Sequence, residues 1–295
     1  MAEKDKVSKI KKEIGQDTVF IKASSGWRGL NLKDLWKFRG LAYFLTWRDI
    51  KVRYKQTILG AAWAVIQPLM QMVVFTFLFN RIGNISTGEV PPELFAFAAL
   101  LPWNLFSKAL QDASKSLVSN KSMITKVYFP RMLIPLSSIL SGLVDFAIAF
   151  LVLIGMMAYF KFPITITALY VPLYLILVLI AALGVGLWLS AWNLHFRDVG
   201  YFLPFLTQIW MLITPVAFPL SEVTEKYLAF IPDQFHFIYY LNPMVGVIEG
   251  IRAALLGTAP PSFEVMAISA AVSVFLLISG LFYFRRMERT FADMV

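Results

Sequence analysis

The stretch RDIKVRYKQTILGAAWAVIQPLMQMVVFTFLF, Arg48–Phe79, changes chemistry abruptly along its length. Four of its first eight residues are basic: Arg48, Lys51, Arg53 and Lys55. The 22 residues from Ile58 to Phe79 then carry no charge, which suits a helix crossing a hydrocarbon layer about 30 Å thick. Yet two amides, Gln67 and Gln71, sit one helical turn apart in the middle of that run. A helix greasy enough to cross a bilayer can keep amides for two reasons. Either a neighbouring helix bonds them as polar glue, or they line a polar path.

Composition points the same way as this stretch. Of 295 residues, 58% are hydrophobic and only 15% charged, with a mean hydropathy of +0.68. A soluble domain of this length has too little interior for so much apolar surface. The expected fold is therefore all-α and integral to a membrane. The absence of cysteine excludes thiol catalysis, structural disulfides and cysteine metal sites.

Six stretches are long and uncharged enough to span, or nearly so: Ile58–Phe79, Leu94–Leu110, Leu133–Phe160, Ile166–Leu194, Val199–Leu220 and Val265–Phe284. Lys108 lies near the end of the second, where it can snorkel to headgroups. The first 57 residues are polar and lysine-rich, unlike a cleavable signal peptide. The basic residues set the orientation. With the N-terminus cytoplasmic, that side holds 23 of the 27 Lys and Arg, leaving Arg81, Lys161, Lys226 and Arg252 outside. Such asymmetry is the signature of a cytoplasmic face, so both termini are expected inside. The net charge of +9 then reflects topology and anionic lipid rather than nucleic acid.

Two further segments are helical without being expected to span. Across Leu30–Lys55, Leu32, Trp36, Tyr43, Trp47 and Ile50 fall in one arc, with Lys33, Lys37, Arg48, Lys51 and Lys55 beside it. That pattern lies flat in a headgroup layer, with Gly40 a candidate break; a soluble helix packed on another domain is the alternative. Met244–Gly257 is apolar, but about 14 residues rise only about 21 Å. A seventh span would carry Arg285, Arg286 and Arg289 outside, so a re-entrant or interfacial helix is expected, started by Pro243 and ended by Gly257.

Candidate functional residues follow from these elements. Gly60, Trp63 or Ala64, Gln67, Gln71 and Phe75 share one face of the first span. Tyr201, Phe205, Gln208 and Leu212 share one on the fifth, where Pro204, Pro215 and Pro219 disturb the helix. Ala182, Gly186 and Ser190 form a small-residue strip for close helix packing. Asp145 is the one carboxylate within a span. No other span offers a clear partner for a proton relay, which favours a hydrogen-bonded structural acid. In the loop Ser119–Arg131, Met123, Ile124, Val127 and Tyr128 fit one helical face flanked by Lys121 and Lys126. A short amphipathic helix stopped by Pro130 is expected there, resting on lipid or inserting into a partner's groove.

Several chemistries lack their residues. There is no G-x-x-x-x-G-K-[ST] loop, no H-E-x-x-H and no G-x-S-x-G. His195 and His236 fall on opposite sides of the expected topology. No metal site and no catalytic site are assigned, and any uphill transport would draw on a partner or an ion gradient.

The order of an amphipathic helix, RDIKVRYKQTILGAAWAVIQPL (Arg48–Leu69), six spans and LNPMVGVIEGIRAALLG (Leu241–Gly257) resembles the ABC-2 type permease subunits of polysaccharide exporters, the membrane halves of bacterial O-antigen, capsule and teichoic-acid transporters. The likeness runs from about Leu30 to the end. It implies a homodimer in the bacterial inner membrane with two copies of a separate ATPase, which would bind the ATP and Mg while this chain binds no cofactor. The polar segment 1–29, expected to be cytoplasmic from its charge, has no reading from the family; 30–57 would be an interface helix and 58–295 a six-span transmembrane domain. Within it, 119–131 would be the coupling helix and 221–258 re-entrant gate helices at the outer mouth, marked by Asn242, Pro243, Glu249 and Arg252. The resemblance implies export of a polyprenyl-diphosphate-linked polysaccharide along the first and fifth spans. Trp63, Gln67, Gln71, Tyr201, Phe205 and Gln208 would line its path, and Arg48, Lys51, Arg53 and Lys55 would meet the diphosphate or membrane lipid. Three rivals stand beside it: an ABC-2 permease for a small amphipathic drug or lipid, a membrane enzyme acting on lipid-linked sugars, and an ion-coupled transporter.

Overall fold

The computed structural model describes residues 32–55, 60–83, 86–224, 232 and 236–291. The polar segment 1–29 and much of the expected gate region between 225 and 235 lie outside the described residues. The chain divides into two units, 1–32 and 33–295; every helix from Arg39 onward belongs to the second. Its architecture is all-helical, with no strand among the described residues.

Helices α1 (Leu32–Lys37) and α2 (Arg39–Lys55) precede the first apolar run. The expected amphipathic segment is in two pieces, with the break at Phe38, two residues before the candidate Gly40. The first run forms a 3₁₀ turn (Gly60–Ala62), α3 (Trp63–Phe75) and a π-helical end (Thr76–Ile82). It is followed by α4 (Pro92–Ser119), α5 (Lys121–Lys126) and α6 (Leu133–Tyr159). A 3₁₀ turn, Ile166–Tyr170, leads into α7 (Val171–His195), then come α8 (Val199–Ile213), α9 (Pro243–Leu256) and α10 (Phe263–Met287).

Among the described residues, four helical segments are long and apolar enough to cross a membrane: Gly60–Asn80, Leu133–Tyr159, Ile166–His195 and Phe263–Met287. The other two expected spans differ for separate reasons. Helix α4 is long, but its middle carries Asn104, Ser107, Lys108, Gln111 and Asp112, tolerable because much of the helix is enclosed by its neighbours. It packs against α3, α6, α7, α8 and α9, burying Phe97, Leu100, Trp103, Phe106 and Leu110. Helix α8 is apolar but only 15 residues long, because Thr214 leaves the helix in an extended conformation just before Pro215.

Close helix packing relies on small residues. A Cβ on Gly280 of α10 would sit 2.3 Å from the carbonyl oxygen of Gly184 on α7, so the two backbones touch where those glycines meet. The strip Ala182, Gly186 and Ser190 is buried, and a Cβ on Gly186 would meet Ala113 of α4 at 3.0 Å. Helix α9 begins and ends where its sequence says. The Asn242 side chain accepts from the Met244 backbone N–H, Pro243 takes the first position, and Gly257 closes with φ 63°, a left-handed cap that glycine adopts without strain. All of α9 except Ala253 is buried, against α4, α7 and α10.

Candidate functional site

The break after α8 would expose several carbonyls at once. Apolar surroundings cannot satisfy them, so irregular backbone at such a place needs protein partners. Two side chains from the segment around α9, Tyr239 and Arg252, bond these carbonyls, and a third, Asn242, bonds a side chain at the break. Tyr239 donates to the Ile213 carbonyl at 2.9 Å, and the Asn242 amide donates to the Thr214 hydroxyl at 2.8 Å. Arg252 has no exposed surface and donates to the carbonyls of Pro215, Val216 and Phe218 at 2.7, 2.6 and 3.3 Å. It also reaches the Phe95 carbonyl at the start of α4 at 3.3 Å, lies 3.6 Å from that residue's ring centroid, and pairs with Glu249 at 2.9 Å. The forked guanidinium permits this, since a single ammonium could not reach so many acceptors. The sequence reading singled out Asn242, Pro243, Glu249 and Arg252; the structure brings Asn242, Glu249 and Arg252 together around the break, adds Tyr239, and places Pro243 at the first position of α9.

Further along α4, at Lys108 and Asp112, a second polar cluster forms. Arg53 on α2 pairs with Asp145 of α6 and Asp112 of α4, both at 2.6 Å, and donates to the Ser141 hydroxyl at 3.0 Å. The Lys108 ammonium also reaches Asp145 at 2.6 Å, and the Tyr54 hydroxyl donates to the remaining oxygen of that carboxylate. Burial, and then the hydrogen bond to Asp145, push the Tyr54 phenol pKa up. Asp145 therefore has partners, but they arrive from α2 and α4, 92 and 37 residues away. Sequence spacing does not carry such a pairing. The cluster also separates the four expected basic residues. Arg53 is engaged inward, Arg48 pairs with its neighbour Asp49 at 2.8 Å, Lys51 lies 5.3 Å from the Trp47 ring centroid, and Lys55 is exposed.

The two amides of the opening stretch part company. Gln71 is half-buried and accepts from the Asn104 amide of α4 at 2.8 Å, which is the polar-glue arrangement. Gln67 is exposed, and Trp63 is 52% exposed on the same side of α3. On α8, Tyr201 is 85% exposed, and Phe205 and Gln208 are exposed with it. Helix α3 meets α4 where Gln71 bonds Asn104, and α8 meets it through Trp210, whose ring centroid lies 5.2 Å from that of Phe106; Pro68, Met72 and Phe75 on α3 and Leu203 and Thr207 on α8 are buried.

The loop after α4 differs from the expected single amphipathic face. Helix α5 stops at Lys126, and Val127 is extended, four residues ahead of the Pro130 expected to stop it. Ile124 and Phe129 are buried and anchor the segment, Met123 and Lys121 are half-buried, and Val127 and Tyr128 (70%) are exposed. Arg131 at its end bonds the Glu288 carbonyl at 2.6 Å, tying the loop to the end of α10.

Residues 41–256 match the family model described as ABC-2 type transporter. The chain belongs to the ABC-2 type transporter family. Among curated proteins, this ABC-2 chain is 29% identical over 265 residues to the O-antigen export system permease protein RfbA of Myxococcus xanthus, covering 90% of this chain and 98% of that protein. It is 27% identical to the protein of the same name from Klebsiella pneumoniae, over 86% of this chain and 95% of the relative. It is 26% identical to the capsule polysaccharide export inner-membrane protein CtrC of Neisseria meningitidis, over 83% and 90%. The ABC-2 match begins within α2 and closes at the last residue of α9, so both polar clusters lie inside it.

Proposed function

We propose that this ABC-2 permease is the channel-forming subunit of an ABC exporter that moves a lipid-linked polysaccharide across the bacterial inner membrane. The observation that carries the reading is the end-to-end similarity to O-antigen export permeases, including 98% of the Myxococcus xanthus protein's length. The capsule relative's name adds both the polysaccharide and the inner membrane. In this reading two copies pair and two copies of a separate ATPase supply the energy, since the sequence contains no nucleotide-binding loop of its own. Six spans cross, with α4 and α8 added to the four long apolar segments, and α1–α2 lie at the inner headgroup layer. The segment around α9 forms the outer gate, and the 23-to-4 division of basic residues keeps both termini inside.

The exposed faces of α3 and α8 suit such a cargo. A sugar polymer is polar along its edges and apolar on its C–H faces. Aromatic rings with interspersed amides bind it shallowly and repeatedly, and many weak sites let a polymer slide where one tight site would hold it. Trp63, Gln67, Tyr201, Phe205 and Gln208 form the proposed lining; Gln71 serves instead as glue to α4. The basic residues left for a carrier diphosphate are Arg48, Lys51 and Lys55.

Trp63→Ala should remove about 1–3 kcal/mol of polymer contact, by analogy with bases stacked on aromatic rings. Gln67→Leu should lower export while leaving folding unchanged. Surface polysaccharide and recovery of the paired permease, measured on the same variants, test this. Reduced export with intact pairing is expected; full export from both variants would remove this face from the path.

A further inference from the structure

The cluster around Arg53 joins three helices with distinct places in the chain. Helix α4 enters the segment 119–131 and α6 leaves it, while α2 leads into the first span. Arg53 bonds both flanking helices: Asp112 on α4 through one guanidinium nitrogen, and Asp145 on α6 through the other. One and two turns earlier on the same face of α2, Asp49 lies 3.4 Å from the Ser137 hydroxyl of α6, and Leu45 is buried. Two cations, Arg53 and Lys108, face two carboxylates, Asp112 and Asp145, so the group is balanced in charge. A tie needed only for stability would be served as well by apolar packing, because desolvation offsets much of a buried pair's attraction. Charge pairing is favoured where one geometry must be specified, and a forked guanidinium can hold two acceptors in fixed relation.

We infer that Arg53 is a positioning residue for transport, a yoke that carries displacement of the segment 119–131, received through α4 and α6, into α2 and so to the first span. The inference rests on the proposed reading of 119–131 as the segment that meets the ATPase. Movement of α4 against α6 changes the separation of the two carboxylates that the guanidinium holds, and α2 must follow or release one of them.

The test uses the permease assembled with its ATPase in lipid vesicles, reading polymer moved per ATP hydrolysed. Arg53→Gln should assemble and hydrolyse ATP yet move at least ten-fold less polymer per ATP. Arg53→Lys, which keeps the charge but loses the fork, should fall between. Asp112→Asn cuts only the α4 arm at a partly exposed carboxylate and should shift the same ratio even if Arg53→Gln fails to fold. Normal ratios in the Arg53 and Asp112 variants would overturn the yoke, as would loss of assembly in all of them, which would make the cluster merely structural. A Val127→Asp, Tyr128→Asp complex serves as the control. If it loses assembly while the Arg53 and Asp112 variants behave as wild type, the yoke alone fails. If it assembles and hydrolyses normally, the reading of 119–131 fails and the yoke falls with it.

Discussion

Arg252 shows how much of the structure one side chain can hold. Its guanidinium answers the carbonyls left open where α8 ends, and it neutralises Glu249 beside it. Arg252→Ala would strand that carboxylate and those carbonyls together. Removing one partner of a buried ion pair costs about 3–5 kcal/mol. The variant should therefore melt well below wild type in detergent and be recovered in lower yield, with Arg252→Lys restoring only part because it lacks the fork. A wild-type melting curve for Arg252→Ala would show that the break is held by something else.

At the scale of the helix, the glycines between α7 and α10 set how closely two spans approach. Gly280→Ala would force a methyl group onto the Gly184 carbonyl, 2.3 Å away, and neither backbone can yield as a flexible side chain would. Overpacking of this kind costs about 1–3 kcal/mol, so thermal melting should fall while α9 and its capping stay unchanged. An unchanged melting curve would mean that the two helices are free to separate. The loop around α5 makes a different prediction. Val127 and Tyr128 are exposed whereas Ile124 and Phe129 are anchors. Val127→Asp with Tyr128→Asp should leave the fold intact, yet place two charges in any apolar groove that receives the loop. Co-purification with the ATPase should fail, and normal co-purification would leave this loop resting on lipid.

These elements also show what the residues alone could convey. Pro243 and Gly257 mark the ends of α9 because their backbone preferences are local. Pro215 marks the end of α8, and small residues every fourth position mark a packed helix face. The exposure of Gln67 and the bonding of Gln71 were not separable, since both fit one face of α3 and only a neighbour's Asn104 distinguishes them. The partners of Asp145 and the carbonyls bound by Arg252 were out of reach for the same reason. The contacts join residues from 34 to 157 positions apart, and no periodicity within one helix encodes which other helix lies beside it.

At the scale of the whole molecule, the two clusters touch α4 at separate points, one at Phe95 near its start and the other at Lys108 and Asp112. One fixes the break below α9, and the other joins α2 to the helices flanking the loop 119–131. A permease built this way has two polar anchors and, on α3 and α8, apolar faces bearing aromatic rings and amides. In the proposed function this chain moves a polysaccharide, powered by a separate ATPase. The most direct test of that function is ATP-driven movement of lipid-linked polysaccharide in vesicles reconstituted with this permease and its ATPase. The expected result is polymer moved to the far side only when permease, ATPase and ATP are all present. Movement of a small amphipath in place of the polymer, or polymer movement without the permease, would contradict it.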